Sequence, residues 1–109
     1  MRALFTVQPA LGHFHPLVPV AQALERAGHE VAFCSSASFR PEVETFGFEC
    51  FDAGLDWIAS DRATWTPFPP MPPPPDPGFP NFVVKVFADI TTQAMVPDVL
   101  ATAEACDPI

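Results

Sequence analysis

ALFTVQPALGHFHP, residues 3–16, is the stretch of sequence that decides the fold. It opens with five mostly apolar residues, as a buried strand does, and Pro9 with Gly12 then interrupts that pattern. Pro16 favours a helix start, because a proline in the first turn costs no hydrogen bond. The stretch therefore predicts a strand, a loop and the beginning of a helix.

The residues that follow complete the first unit of the predicted sheet. From Leu17 onward apolar side chains recur at the spacing of one helix face, and Gly28 stands where a helix turns left-handed to stop. Residues 31–34, VAFC, then form a second strand. This order is typical of a doubly wound parallel α/β sheet, whose ligands bind beyond the carboxyl ends of the strands.

A further helix and strand extend the pattern to residue 52. The helix begins near Pro41 and ends at Gly47, and residues 48–51, FECF, form a third strand. Residues 1–52 are therefore predicted to form a β-α-β-α-β unit, which is a Rossmann-like parallel sheet with flanking helices.

Residues 53–80 change character, because nine of the fifteen prolines lie between positions 67 and 80. No regular helix or central strand survives that density of proline. Two interpretations stay open from the residues alone: a rigid structural loop, or a docking segment whose Pro-x-x-Pro spacing fits an SH3-like module. We expect an irregular or polyproline-II excursion anchored by its large aromatic residues, which are Trp57, Trp65, Phe68 and Phe79.

The helical period returns over residues 81–106. Pro97 lacks an N–H, and its ring clashes with the carbonyl of Gln93, so we expect a kink or a break there. Residues 107–109, DPI, are expected to turn into a fourth strand.

Composition narrows the class of protein. The net charge of −8, with only five Lys plus Arg, argues against nucleic-acid binding, which needs clustered cations. The five apolar residues before Gln8 are too few for a signal peptide or a membrane span. Three widely spaced cysteines indicate reduced core residues of a cytoplasmic protein. Hydrophobic residues make up 49% of the chain, more than so short a chain buries easily, so self-association is expected.

His13 is the residue best suited to chemistry, because it lies between the first strand and the first helix, at the edge where ligands bind. Its imidazole titrates near neutrality, which suits a general base. His15 either caps the helix that starts at Pro16 or faces the same cleft. The two histidines have no third candidate ligand nearby in sequence, so no metal is expected.

The run from Arg2 to about Gly54 resembles the amino terminus of a family 1 glycosyltransferase of GT-B fold. The resemblance rests on the Gly12-His13 pair, on Pro16, and on a helix that ends in AGHEV at 27–31. It is greatest to bacterial enzymes that glycosylate antibiotics and other natural products. The resemblance implies that residues 1–109 are an incomplete amino-terminal, acceptor-binding domain, with the carboxy-terminal donor-binding domain absent.

The same resemblance implies a reaction. An inverting enzyme of this kind moves a sugar from a UDP- or TDP-sugar to a hydroxyl of a small hydrophobic acceptor, with His13 as general base and without a metal or other cofactor. Gly12 is expected to contact the donor, and the excursion at 53–80 to cover the acceptor. The acidic partner of His13 is expected beyond Ile109, and the chain alone should be inactive. The expected acceptor contacts are Phe14, His15, Trp65, Phe68 and Phe79.

Two rival functions belong to other classes. A nucleotide- or dinucleotide-binding module is disfavoured, because the first loop lacks the Gly-x-Gly-x-x-Gly turn and no acidic residue ends the second strand. A non-catalytic helper that pairs with a full-length glycosyltransferase is the second alternative. Its mark would be stable, stoichiometric association with an enzyme that carries its own histidine base.

Overall fold

A computed structural model describes residues 1–106, and the turn expected at residues 107–109 lies outside the described part. Short 3₁₀ turns at His15–Leu17, Ala37–Phe39 and Arg62–Thr64 connect some of the elements, and a π-helical stretch covers Lys85–Ile90. The strands and α-helices, in chain order, are β1 (Arg2–Thr6), α1 (Leu11–Phe14), α2 (Val18–Arg26), β2 (Glu30–Ser35), α3 (Arg40–Glu44), β3 (Glu49–Asp52), α4 (Phe79–Val84) and α5 (Thr91–Cys106).

The three strands form a parallel sheet in the order β1-β2-β3, with β2 in the centre. Phe5 of β1 lies opposite Phe33 of β2, which in turn lies opposite Cys50 of β3. Because side chains alternate along a strand, these residues share one face of the sheet. The predicted β-α-β-α-β unit with flanking helices is confirmed.

Helices α2 and α3 contact β2 and β3 and cover this face of the sheet. Phe33 stands at the centre of the core, with the Phe5, Phe14 and Phe48 rings 5.1–5.3 Å away between centroids. Edge-to-face and offset arrangements of this kind stabilise a core beyond the area that they bury. The buried residues of this first core are Val7, Phe14, Val18, Ala21, Phe33, Phe39, Val43, Phe48 and Cys50.

The first helix begins earlier than the sequence pattern indicates. Ala10 is extended and its carbonyl accepts the N–H groups of His13 and Phe14, so the chain is helical from Leu11 rather than from Pro16. Pro16 has no N–H to continue these bonds, and there α1 gives way to a 3₁₀ turn. The predicted Gly-His loop is therefore a short helix, and the predicted helix start at Pro16 is wrong.

Helix α5 runs through Pro97 without a break, so of the predicted kink or break the break is wrong and the kink stays a prediction. Contacts with the loop after β3 hold the helix on both sides of the proline. The Asp98 carboxylate accepts the Gly54 N–H at 2.8 Å, and Met95 packs against Gly54, where an added Cβ would lie 2.5 Å from its Cγ. Gly54 also has a φ of +73°, which other residues rarely adopt. The irregularity of this region lies at Lys85–Ile90 instead, one turn before α5.

The Pro-rich excursion is irregular, as predicted, but it builds a second core rather than lying loosely on the surface. Trp57 is 2% exposed, and the rings of Trp65 and Phe68 pack against it at 5.5 and 4.9 Å. The buried members of this aromatic cluster are Trp57, Phe68, Phe82 and Val86. Helix α4, which starts at Phe79 and not at 81, supplies its far side.

The described part of the chain has unpaired strand edges and exposed apolar side chains. β1 and β3 are both edge strands, and several large apolar side chains are exposed, among them Val20, Val96 and Leu100. Unpaired edges and apolar patches favour association with other polypeptide, so self-association stays a prediction. Within residues 1–106 no helix combines the length and the apolar character that crossing a bilayer requires.

The cysteines give a first prediction. Burial raises the pKa of the Cys50 thiol to about 11, and burial also raises the pKa of Cys34. Because the thiolate is the nucleophile, we expect iodoacetamide at pH 8 to modify half-buried Cys106 first and these two slowly. A pKa raised by folding also means that stability falls as pH rises from 9.0 towards about 11. Mass spectrometry of the alkylated native chain measures the order of modification. If Cys50 in the native chain is modified as fast as it is in urea, the predicted order is wrong.

Candidate functional site

The carboxyl ends of the three strands meet at one edge of the sheet. β1 ends at Thr6, β2 at Ser35 and β3 at Asp52, and backbone bonds extend the pairing by one residue on each side of β2. The Val7 N–H donates to the Cys34 carbonyl at 3.1 Å, and the Ala53 N–H donates to the Ser35 carbonyl at 2.8 Å. Ligands of doubly wound sheets bind at this edge, which makes it the candidate site.

Helix α1 presents His13 and Gly12 at this edge. Both residues are exposed, while Phe14 on the same turn points into the core with no exposed area. Within residues 1–106 the structure shows no hydrogen bond to the His13 ring, and nothing lies within 4 Å of a Cβ built on Gly12. The imidazole is therefore free to meet a ligand, and the helix beside it is open to close approach.

The neighbours of His13 differ from their predicted roles. Phe14 is enclosed by Phe33, Phe39 and Phe46, with ring centroids 5.3–5.9 Å away, so its predicted contact with an acceptor is corrected to a role in the core. His15 caps no helix with its side chain, and its ring lies 5.9 Å from the exposed Phe46 ring instead. His15 keeps an exposed face beside α1.

The aromatic residues of the excursion separate into buried and accessible ones. Phe68 is 8% exposed and belongs to the aromatic cluster, which corrects its predicted contact with an acceptor. Trp65 is half-buried, with its indole N–H donating to the Ile58 carbonyl at 3.1 Å and the Arg62 guanidinium 5.0 Å from its ring centroid. Phe79 is half-buried at the start of α4, outside the cluster. Trp65 is thus a partly accessible aromatic residue of the cluster.

Two buried serines at the end of β2 are not among the functional residues that the sequence predicts. The Ser35 hydroxyl donates to the Val7 carbonyl at 2.9 Å, and the Ser36 hydroxyl donates to the Trp57 carbonyl at 2.6 Å. The signal was present, since two small polar residues directly after an apolar strand mark the ligand-binding edge. Composition alone did not distinguish them from ordinary turn residues.

Gln8 joins the β1 end to the helices that follow the excursion. Its carboxamide N–H groups donate to the Thr91 hydroxyl at 2.9 Å and to the Phe87 carbonyl at 3.2 Å. The Thr91 hydroxyl donates to the same carbonyl at 3.0 Å, and so supplies a hydrogen bond in the region where the π-helical stretch meets α5. Gln8 Oε1 is buried and has no partner within residues 1–106.

The charge at this edge is acidic. Asp56 accepts the Ser38 backbone N–H at 2.8 Å, and hydrogen bonds from the Ser38 side chain and backbone lower the pKa of this carboxyl. Asp52 pairs with the Arg40 guanidinium at 3.0 Å. No group of three or more His, Cys, Asp and Glu residues within 1–106 is arranged to hold a metal ion.

The surface has two open clefts, one of them beside the carboxyl end of β1. One, of about 610 Å³, lies at the amino ends of the strands and is lined by residues such as Arg2, Glu30 and Phe51. The other, of about 350 Å³, runs between α5 and the end of β1. His13 lines neither of these two clefts.

Comparison with known proteins shows which proteins this chain is similar to. No protein-family model matches the chain. It is 43% identical over 47 residues to L-demethylnoviosyl transferase of Streptomyces niveus, and 44% identical over 46 residues to 4'-demethylrebeccamycin synthase of Lentzea aerocolonigenes. These segments are 43% and 42% of this chain, but only 12% and 11% of the two relatives.

Solved structures extend the likeness to nearly the whole chain. The glycosyltransferase SsfS6 of Streptomyces sp. SF2575 matches 99% of it with a TM-score of 0.77 and 25% identity. The glycosyltransferase SnogD of Streptomyces nogalater matches the same share with a TM-score of 0.69 and 29% identity. By fold and by the sequence of its first half, the chain is similar to part of glycosyltransferases of GT-B fold. The chain spans only 31% and 26% of the lengths of these two solved chains.

SsfS6 has also been solved in complex with thymidine diphosphate. That nucleotide is the leaving group of a TDP-sugar, which is one of the two donor types implied by the sequence resemblance.

Proposed function

We propose that this chain is the acceptor-side part of a longer inverting glycosyltransferase, referred to below as the complete enzyme. The enzyme transfers a sugar from a TDP- or UDP-sugar to a hydroxyl of a small hydrophobic natural product in the cytoplasm. The observation that carries the proposal is the exposed His13 at the carboxyl edge of the sheet, whose ring makes no hydrogen bond within residues 1–106, in a fold shared with the glycosyltransferases SsfS6 and SnogD.

His13 acts as the general base in this proposal. Its ring accepts the proton of the acceptor hydroxyl as the oxygen attacks the anomeric carbon and the nucleoside diphosphate departs. A positioned base of this kind contributes about 10²- to 10⁴-fold in rate. A carboxylate from outside residues 1–106 orients the imidazole through its other nitrogen, in the manner of a hydrogen-bonded dyad.

The remaining walls of the site come from the rest of the complete enzyme. Neither described cleft includes His13, and the positioning of donor and acceptor is worth up to about 7–11 kcal/mol in favourable cases. The isolated chain therefore lacks transfer activity in this proposal. Its open edges and apolar surfaces pair with the rest of the enzyme, or with other copies when that part is absent.

A transfer assay tests the proposal. The complete enzyme and the isolated chain are each incubated with TDP- and UDP-sugars and a panel of apolar phenols and alcohols, and products are read by mass spectrometry. We expect a glycosylated product only with the complete enzyme. A complete enzyme that binds a second glycosyltransferase stoichiometrically and forms no product of its own would favour the helper function.

Substitution of Gly12 is predicted to affect stability and donor binding in opposite directions. A helical glycine costs up to about 1 kcal/mol relative to alanine, and no atom within residues 1–106 requires its small size. Gly12→Ala should therefore leave the isolated chain as stable or slightly more stable, while the KM for the donor rises in the complete enzyme. Urea denaturation and donor kinetics are the two measurements. Unchanged donor kinetics would remove Gly12 from the donor site.

Trp65 gives a prediction for acceptor choice. Its half-buried ring is held by the bond to the Ile58 carbonyl, so it offers a fixed flat surface to an apolar acceptor. Trp65→Ala should change the ranking of acceptors by kcat/KM and leave the donor KM within about twofold, because the proposal gives this ring a contact with the acceptor and none with the donor. A fall in donor affinity with unchanged acceptor ranking would show that the assignment is wrong.

A further inference from the structure

Three segments at the candidate site are joined by a closed ring of hydrogen bonds. Ser35 and Ser36 end the central strand, and their hydroxyls reach in two directions, to the Val7 carbonyl and to the Trp57 carbonyl. The Ala59 N–H closes the ring with a 2.9 Å bond to the Pro9 carbonyl. The ring thus runs from β2 to residues 7–9, across to residues 57–59, and back to β2.

The ring is buried at its serines. Ser35 has no exposed area, and Ser36 is 2% exposed. A buried carbonyl that loses its donor is left unsatisfied, so each hydroxyl matters more than its single bond suggests. The hydroxyl bonds at 2.9 and 2.6 Å are well within the normal range for O–H donors.

Two of the three segments of the ring connect to a candidate functional residue. Residues 7–9 lead directly into α1, which carries His13. The other segment holds the Trp65 turn through Ile58, whose N–H donates to the Thr64 hydroxyl at 2.9 Å and whose carbonyl accepts the Trp65 indole N–H at 3.1 Å. The ring is therefore a short connection between the proposed base and the proposed acceptor surface.

We propose that Ser35 and Ser36 are positioning residues, which hold the His13 helix and the Trp65 turn in one fixed relation so that an acceptor hydroxyl meets the base. The proposal rests on the proposed function for its effect on catalysis, but the ring itself is a property of this chain. Small misplacements of a reacting group are costly, since errors on the order of 1 Å lower rates by up to about a hundredfold.

Ser36→Ala tests the ring in the 109-residue chain by amide hydrogen exchange measured with NMR. We expect exchange of the Ala59 amide and the Trp65 indole to accelerate on the order of tenfold, while the Phe33 amide in the central strand keeps its rate. Ser60→Ala is the matched control, because Ser60 is exposed in the same turn, and it should change neither rate. Equal acceleration at all amides, or none at Ala59, would overturn the proposal.

Conservative variants separate positioning from general stability. Ser36→Thr keeps the hydroxyl and should restore slow exchange at Ala59. If Ser36→Ala does not fold, Ser36→Cys keeps the side-chain size with a weaker donor and takes its place. Unchanged exchange at Ala59 in Ser36→Cys would then overturn the ring.

Kinetics of the complete enzyme provide the second readout. Ser36→Ala should raise the acceptor KM and lower kcat, on the order of tenfold in kcat/KM, with the donor KM unchanged and with recovery in Ser36→Thr. If the Ser36→Ala enzyme transfers sugar with the same kinetic constants as the wild type, the positioning role is overturned. If the wild-type complete enzyme transfers no sugar, while hydrogen exchange in the 109-residue chain changes as expected, the proposed function is overturned. The hydrogen-bond ring is then still supported.

Discussion

His13→Ala is expected to lower the turnover of the complete enzyme by about 10²-fold or more, while the dissociation constant of the donor stays nearly unchanged. The side chain is exposed, and within residues 1–106 its ring makes no hydrogen bond, so the substitution removes chemistry without removing packing. Steady-state kinetics and donor titration by calorimetry measure the two quantities.

His15→Ala is the matched control for this loss. His15 is also exposed and lies two residues away, but its ring rests 5.9 Å from the Phe46 ring rather than standing free. We expect a much smaller fall in turnover. The loss in His13→Ala should also shrink for acidic phenols, which need less help to ionise, and an equal loss for phenols and alkyl alcohols would contradict the assignment of the base.

Phe14→Ala is expected to cost about 3–5 kcal/mol in the free energy of unfolding, because the ring is fully buried and leaves a large cavity when it is removed. Three other phenylalanine rings, those of Phe33, Phe39 and Phe46, pack around it at centroid distances of 5.3–5.9 Å. Urea denaturation of the 109-residue chain, followed by circular dichroism, is the measurement.

Phe46→Ala is the control for Phe14→Ala. Phe46 touches the same cluster from outside and is 42% exposed, so its loss should cost clearly less. A Phe14→Ala chain of wild-type stability that binds acceptors poorly would restore the contact with the acceptor that the sequence suggested.

The fold of residues 1–52 could be predicted from the sequence because local signals and long-range pairing agree there. Short apolar runs are separated by helices of clear period, and Gly28 and Gly47, at φ of +91° and +83°, stop those helices as expected. The parallel order of such a unit then places the loops after the strands at one edge. His13 was found at that edge for this reason.

Errors arose where tertiary contacts decide the outcome. Met95 and Asp98 contact Gly54 on either side of Pro97 in sequence, and α5 continues there despite the missing hydrogen bond. The burial of Phe14 depends on packing by Phe39 and Phe46, which lie just before and just after α3, and no local pattern reveals that packing. Phe68 is similar, because the aromatic cluster that buries it includes Phe82, which comes from a helix beyond the prolines.

The serine pair shows a different limit of sequence reasoning. Ser35 and Ser36 follow an apolar strand and read as ordinary turn residues, and their partners are the backbone carbonyls of Val7 and Trp57. Because every residue has a backbone carbonyl, the sequence does not show which residue accepts such a hydrogen bond. Only the folded arrangement of three loops shows that these hydroxyls join the segments of the site.

The anomeric configuration of the product tests the central claim most directly. A base that deprotonates the acceptor while the acceptor oxygen displaces the nucleoside diphosphate allows a single displacement, which inverts the anomeric carbon. The complete enzyme is supplied with an α-linked TDP-sugar and a phenolic acceptor, and the anomeric proton coupling of the product is read by NMR. We predict a β-linked glycoside, and an α-linked glycoside would contradict the account.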